Sequence, residues 1–155
     1  MIENEAKEGM QAPDFTLMGS DDRKHQLSDY KGKKVVLFFY PKDNTPGWAN
    51  EATSFRDSLS LFKELNVEIL GISRDSINSH KKFISKYELP FILLSDEDET
   101  VCNLYGVLKE KNMYGKKVIG IERSTFIIDE NGVISRVFRK VKVDGHVEDV
   151  INNLK

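Results

Sequence analysis

The sequence predicts an α/β fold in three layers, a mixed central sheet with helices on both faces, and three observations carry that prediction. Within Lys33-Lys-Val-Val-Leu-Phe-Phe-Tyr40 the residues from Val35 onward are continuously apolar, β-branched or aromatic, the pattern of a strand buried on both faces. From about Trp48 to Leu65 the apolar residues Ala52, Phe55, Leu59, Phe62 and Leu65 recur at spacings of three and four, which is one face of a helix. Val67-Glu-Ile-Leu-Gly-Ile72 then forms a second apolar run. Strand, helix and strand in that order make a parallel crossover unit, which sterics force to be right-handed.

The remaining elements follow in chain order. Pro41-Lys-Asp-Asn-Thr-Pro-Gly47 is dense in turn residues and reads as the loop between the first strand and its helix. Ser76 to Tyr87 predicts a helix with Ile77, His80, Phe83 and Ile84 on one face and Ser76 as its cap. Leu89-Pro-Phe-Ile-Leu-Leu94 reads as a short strand. Ser95-Asp-Glu-Asp-Glu99 precedes Val101, Leu104 and Tyr105, so its carboxylates are read as complementing a helix start rather than as a metal loop. Arg123-Ser-Thr-Phe-Ile-Ile128 and Val133-Ile-Ser-Arg-Val-Phe138, joined by Asp129-Glu-Asn-Gly132, predict a hairpin on an Asn-Gly turn. Val147, Val150, Ile151 and Leu154 define a closing amphipathic helix, and Phe15–Met18 with His25–Leu27 predict a hairpin near the start. No repeat, low-complexity tract or linker divides the sequence, so one domain is expected over residues 1–155.

Composition narrows the function classes. Hydrophobic residues at 39% and charged residues at 31% place the chain among globular proteins rather than disordered ones. Lys plus Arg number 23 against 25 Asp plus Glu, and this near balance supplies no electrostatic argument for nucleic acid or an anionic membrane. The longest apolar stretch, Val35–Tyr40, is far short of a bilayer span. Met1 to Glu8 carries acids where a signal peptide needs an apolar core, so a cytoplasmic location is expected. Cys102 is the single cysteine, which excludes an intramolecular disulfide. His25, His80 and His146 show no metal-ligand spacing, and neither a metal nor a cofactor is expected. On its predicted helix Cys102 reads as a buried small hydrophobe.

Chemistry is expected beyond the carboxyl end of the Val35–Tyr40 strand, where open α/β sheets collect functional groups. The helix beginning near Trp48 turns its free N–H groups and positive dipole end toward the preceding loop, and a thiol placed there would ionise readily. Phe39-Tyr-Pro-Lys-Asp-Asn-Thr-Pro-Gly47, continued by Glu51-Ala and Ser54-Phe-Arg-Asp57, resembles the active-site loop of the peroxiredoxins, most closely their bacterioferritin comigratory protein (peroxiredoxin Q) branch. The resemblance spans nearly the whole chain through Ala12-Pro-Asp-Phe-Thr-Leu17, Gly71-Ile-Ser73, Leu94-Ser-Asp96, Tyr105-Gly-Val107 and Gly120-Ile-Glu-Arg-Ser-Thr-Phe-Ile-Ile-Asp129.

The resemblance implies a thioredoxin-like fold and a thiol peroxidase that reduces hydrogen peroxide and organic hydroperoxides, with thioredoxin or another thiol as reductant. It implies a site pattern Pro-x-x-x-Thr-x-x-Cys with an arginine from a later strand. Pro41 and Thr45 match the first two positions and Arg123 matches the arginine. By themselves Thr45 is a turn residue and Arg123 an ion-paired or surface residue; the surrounding resemblance makes them site residues. The family roles are peroxide orientation for Thr45, thiolate and O–O polarisation for Arg123, and exclusion of water for Pro41. The peroxidatic cysteine position holds Trp48 and the resolving position five residues later holds Thr53.

That departure has a chemical consequence. Peroxide reduction requires a thiolate or its equivalent, which is oxidised to a sulfenic acid, and indole offers only an N–H donor. The chain as written is therefore expected to be inactive by the thiol route. Two readings compete: a peroxidase whose nucleophile, cysteine or a recoded selenocysteine, is replaced by Trp48, and a natural pseudoenzyme that uses the fold as a binding module. A third, a thiol activity dependent on Cys102, is open to Cys102→Ser. A monomer is preferred over an oligomer within this branch.

Overall fold

The computed structural model describes residues 6–43, 46–141 and 145–154, with the backbone alone for residues 46–48, 111 and 113. Its centre is the predicted parallel unit. Strand β3 (Lys34–Phe39) pairs in parallel with β4 (Val67–Ser73), and β4 pairs in parallel with β5 (Ile92–Ser95). On one side β5 is joined antiparallel by β1 (Thr16–Gly19) and then β2 (Lys24–Gln26); on the other, β3 is joined antiparallel by β8 (Ser124–Ile128) and then β9 (Ile134–Arg139). The resulting mixed sheet has seven strands in the order β2-β1-β5-β4-β3-β8-β9.

Alternation along β3 divides the core into two layers, because successive side chains point to opposite faces. Val35, Leu37 and Phe39 join Leu70, Ile72, Phe126 and the residues of helix α4 (Thr100–Tyr105) on one face. Val36, Phe38 and Tyr40 join Ile69, Leu93 and Ile127 on the other. That second face is covered by α1 (Pro46–Asp57), α2 (Leu59–Glu64), α3 (Ile77–Tyr87) and α5 (His146–Leu154) through Ala52, Phe55, Phe62, Phe83 and Val150. The fold is thus the expected thioredoxin-like α/β arrangement, with helices on both faces of a mixed sheet.

Local chemistry explains most element ends. Ser76 caps α3 by accepting from the Ser79 N–H at 3.2 Å, as its position predicts. The acids before α4 act by hydrogen bonding: Asp96 accepts from the N–H groups of Val101 and Cys102, and Asp98 from that of Thr100. The predicted hairpin forms as β8–β9, with Gly132 at a φ of +82 in its turn and a register shift at Ile127/Ile128.

Three expectations are corrected. The single helix from Trp48 to Leu65 is two helices, divided at Ser58, whose N–H is shared between the carbonyls of Ser54 and Phe55 and whose φ, ψ of −100, 9 ends the α ladder. The strand expected over Leu89–Leu94 begins only at Ile92: the Leu89 N–H closes the end of α3 on the Ile84 carbonyl, and Pro90 has no N–H to give a sheet. A two-stranded ribbon of β6 (Leu108–Met113) and β7 (Lys116–Ile121) was not anticipated, because Lys and Glu dilute its period-2 pattern. Its signal lies in the turn, where Tyr114 and Gly115 both take positive φ as a two-residue hairpin turn demands.

Candidate active site

The site builds from the carboxyl end of β3. Tyr40 extends that strand by one bond, its N–H donating to the Ile72 carbonyl at 3.1 Å. Half-buried Pro41 then turns the chain toward α1. Phe39 pairs with Ser124 in the antiparallel register, so Arg123 sits directly beside this turn. α1 starts at Pro46 and carries no acid in its first turn. Residue 48 lies in that first turn. Thr45 lies outside the described residues, and of Trp48 only the backbone is described.

The strand start and the helix meet through Glu51, one helical turn beyond position 48. Its Oε2 lies 3.9 Å from Arg123 Nη1, with Glu51 buried and the Arg123 side chain 20% exposed. Burial pushes the Glu51 carboxyl up to about 7, against the pull of the Arg123 charge. Burial likewise lowers the Arg123 guanidinium from its ordinary value, and Glu51 opposes that shift. Glu51 was missed at the sequence level. An acid directly beside Ala52 and four residues before Phe55, on the face turned to the sheet, is the signal that marks it.

Thr53 is half-buried and its hydroxyl donates back to the carbonyls of Ala49 and Asn50, at 3.0 and 3.1 Å. Its hydroxyl is thus engaged with its own helix. Cys102 is fully buried in the core layer across the sheet from α1, and burial pushes its thiol well above the ordinary cysteine range, with Asp96 adding to the shift.

A second polar cluster was also missed. Asp43, Asp75 and His80 bring their donor atoms within 4.8 Å of one another beneath the loop. Those atoms are already engaged. Asp43 accepts from Tyr40 Oη and Ser79 Oγ and pairs with His80 Nδ1, Asp75 accepts from the Asp43 N–H and Ser73 Oγ, and His80 Nε2 faces the Leu94 carbonyl. The cluster is closed on itself by hydrogen bonds rather than open toward an ion. His80, placed by its spacing on the apolar face of α3, was the visible signal.

These features define a thioredoxin-like α/β protein with a candidate site where β3, the first turn of α1 and the start of β8 converge. Over residues 9–137 the chain matches the AhpC/TSA family. A bcp relative from Coxiella burnetii is 56% identical over 146 residues, covering 94% of this chain and 97% of its own. Peroxiredoxin Bcp of Bacillus subtilis is 48% identical over 147 residues, covering 95% and 94%. The bacterioferritin comigratory protein of Xanthomonas campestris, solved in trapped intermediate and ligand complexes that bear on its alkyl peroxide reduction activity, superposes with a TM-score of 0.90 at 42% identity over 96% of this chain and 97% of that one. The chain belongs to the AhpC/TSA family and, within it, to the Bcp/PrxQ peroxiredoxins. Peroxiredoxin Q of X. campestris has also been solved as cysteine-to-serine mutants, whereas Cys102 is the only cysteine of this chain.

Proposed function

We propose that this chain is a peroxiredoxin scaffold whose reacting position is residue 48, and that with tryptophan there it does not turn over hydroperoxides by the thiol route. Pro41, Thr45 and Arg123 frame the pocket in this reading, Trp48 stands at the peroxidatic position and Thr53 at the resolving one. The observation that carries it is the approach of Arg123 to Glu51, which brings the only arginine of the site pattern to the helix that bears position 48. The acid-free first turn of α1 supports it further, since a sulfur or selenium at that place would be held as the anion.

With a thiolate at residue 48 the step balances simply. Sulfur attacks the hydroxyl-bearing peroxide oxygen, the O–O bond breaks, the sulfur keeps that hydroxyl as a sulfenic acid, and the departing oxide takes a proton from solvent to leave as water or an alcohol. The Arg123 charge stabilises the anion that forms on the departing oxygen. Thr53 bonds only to its own helix through its described contacts and offers no sulfur. The oxidised centre is then reduced by an external thiol such as thioredoxin. Hydroperoxide and thiol reductant are the partners in this reading, with no nucleic acid, membrane, metal or cofactor. No described helix is long and apolar enough to cross a membrane. We read residues 1–155 as one cytoplasmic domain and prefer a monomer.

The test is peroxide consumption with dithiothreitol or thioredoxin by the chain as written and by Trp48→Cys. Turnover in the variant alone supports the proposal. Silence in a folded variant overturns it and favours the pseudoenzyme, a binding module on the same fold. The native gene adds a separate reading: UGA at codon 48 marks selenocysteine, and UGG removes that version.

A further inference from the structure

The turn between β3 and α1 carries one fully buried acid, Asp43, that the chemistry of residue 48 does not use. Its side chain accepts from Tyr40 Oη at 2.8 Å on Oδ1, and on Oδ2 it accepts from Ser79 Oγ and meets His80 Nδ1, each also at 2.8 Å. Its backbone N–H donates to Asp75 Oδ2 at 2.7 Å. Three of these partners, Asp75, Ser79 and His80, belong to the start of α3 and the turn before it. Asp43 is thereby fastened to α3 through its side chain and to the turn before α3 through its main chain.

Hydrogen-bond logic fixes the protons of the pair. His80 Nε2 lies 3.0 Å from the Leu94 carbonyl, which can only accept, so Nε2 carries a hydrogen. Nδ1 faces Asp43 Oδ2, while the Tyr40 proton is directed to Oδ1. A second proton therefore lies between Nδ1 and Oδ2, on whichever atom holds it. Asp43 and His80 form one closed unit: removing the ring takes one of three side-chain partners from the buried carboxyl, and removing the carboxyl leaves His80 Nδ1 only the longer Tyr40 Oη contact at 3.3 Å.

We propose that the Asp43–His80 pair is the anchor that holds the turn at residues 41–43 against α3, a positioning pair for that turn rather than a participant in chemistry. Beside Asp43 this turn holds half-buried Pro41 and exposed Lys42, and such segments open at low cost unless tied down. The proposal concerns where the segment is held and stands whether or not residue 48 reacts.

Hydrogen exchange on the full chain tests it. Asp43→Ala and His80→Phe should each raise the exchange rate of a peptide spanning 41–50 by at least tenfold, with the peptides of β3 and β4 changed less than twofold. Asp43→Asn should stay within threefold of the parent, because its carbonyl accepts from Tyr40 and its amide donates to a singly protonated His80 and to Ser79 Oγ. Unchanged 41–50 exchange in both releasing variants, or a rise equal across the whole chain, overturns the anchor. Should neither variant fold, the parent decides: the Asp43 amide and the amides of residues 80–84 should open together, within tenfold in rate and with the same urea dependence. Independent opening overturns the proposal.

Discussion

Glu51 Oε2 and Arg123 Nη1 lie 3.9 Å apart, beyond hydrogen-bond reach, and both atoms are buried. The long gap means that Coulomb attraction only partly offsets the cost of taking the carboxylate out of water, and the raised Glu51 value of about 7 records that balance. The folded protein binds this proton more tightly than the unfolded chain, whose value is 4.5. Stability from this group is therefore complete below pH 4.5 and is lost as pH rises through about 7. Glu51→Gln should gain up to about 3 kcal/mol over the parent at pH 8 and little at pH 4, measured by urea unfolding. An equal gain at both pH values would sink the assignment.

His146 runs the other way. It is buried at the start of α5, with Nε2 2.8 Å from Thr125 Oγ1 and its ring edge-on to Phe138 at 5.2 Å. Burial lowers it to about 4 from 6.5, with Asp149 opposing. The folded state prefers the neutral ring, so its contribution is complete above pH 6.5 and is lost as pH falls through about 4. Relative to the parent, His146→Phe should recover up to about 3 kcal/mol between pH 7 and pH 4. A parallel pH profile in the two proteins would refute it. Because Glu51 and His146 titrate with opposite slopes across the same interval, each masks the other in the parent and emerges only in the single variants.

Phe55 is fully buried on α1, 3.9 Å from the Phe38 ring centroid and 5.5 Å from that of Phe62. Phe55→Ala opens a cavity at the seam between α1, α2 and the sheet, and should cost about 3–5 kcal/mol in chemical denaturation. A loss under 1 kcal/mol would mean that α1 is not packed on β3 as described.

Cys102 is predicted inert in the native state, since it is fully buried and its thiol is held protonated. Ellman's reagent should find no reactive thiol in the folded chain and one after denaturation. Rapid labelling of the native protein would contradict its placement, and would also require Cys102→Ser in any assay of Trp48→Cys.

The legible parts of the fold were those written in short-range pattern. The apolar runs of β3 and β4, the Ser76 cap and the Asn-Gly turn each depend on neighbours in the chain, and each appears where expected. The break at Ser58 did not show, because the apolar spacing of Ala52, Phe55 and Phe62 continues through it and all three reach the same core. Leu89 looked like strand because its apolar character is the same whether it closes a helix or enters a sheet. At the site, Pro41 and Arg123 stood out only through resemblance, whereas Glu51 and Asp43 acquired meaning from partners distant in sequence.

By itself the sequence determined the parallel strand–helix–strand unit, the place of the candidate site at the end of β3 and the lack of sulfur at residue 48, since periodicity, turn chemistry and residue identity are local properties. The tertiary structure alone decided that Glu51 faces Arg123, that Asp43 is closed by His80 and that Cys102 lies across the sheet from α1. Asp43 and His80 are 37 residues apart. Which buried acid meets which base at such a distance is set by how the layers pack and by the cost of leaving either charge unmatched, and no spacing along the chain encodes it.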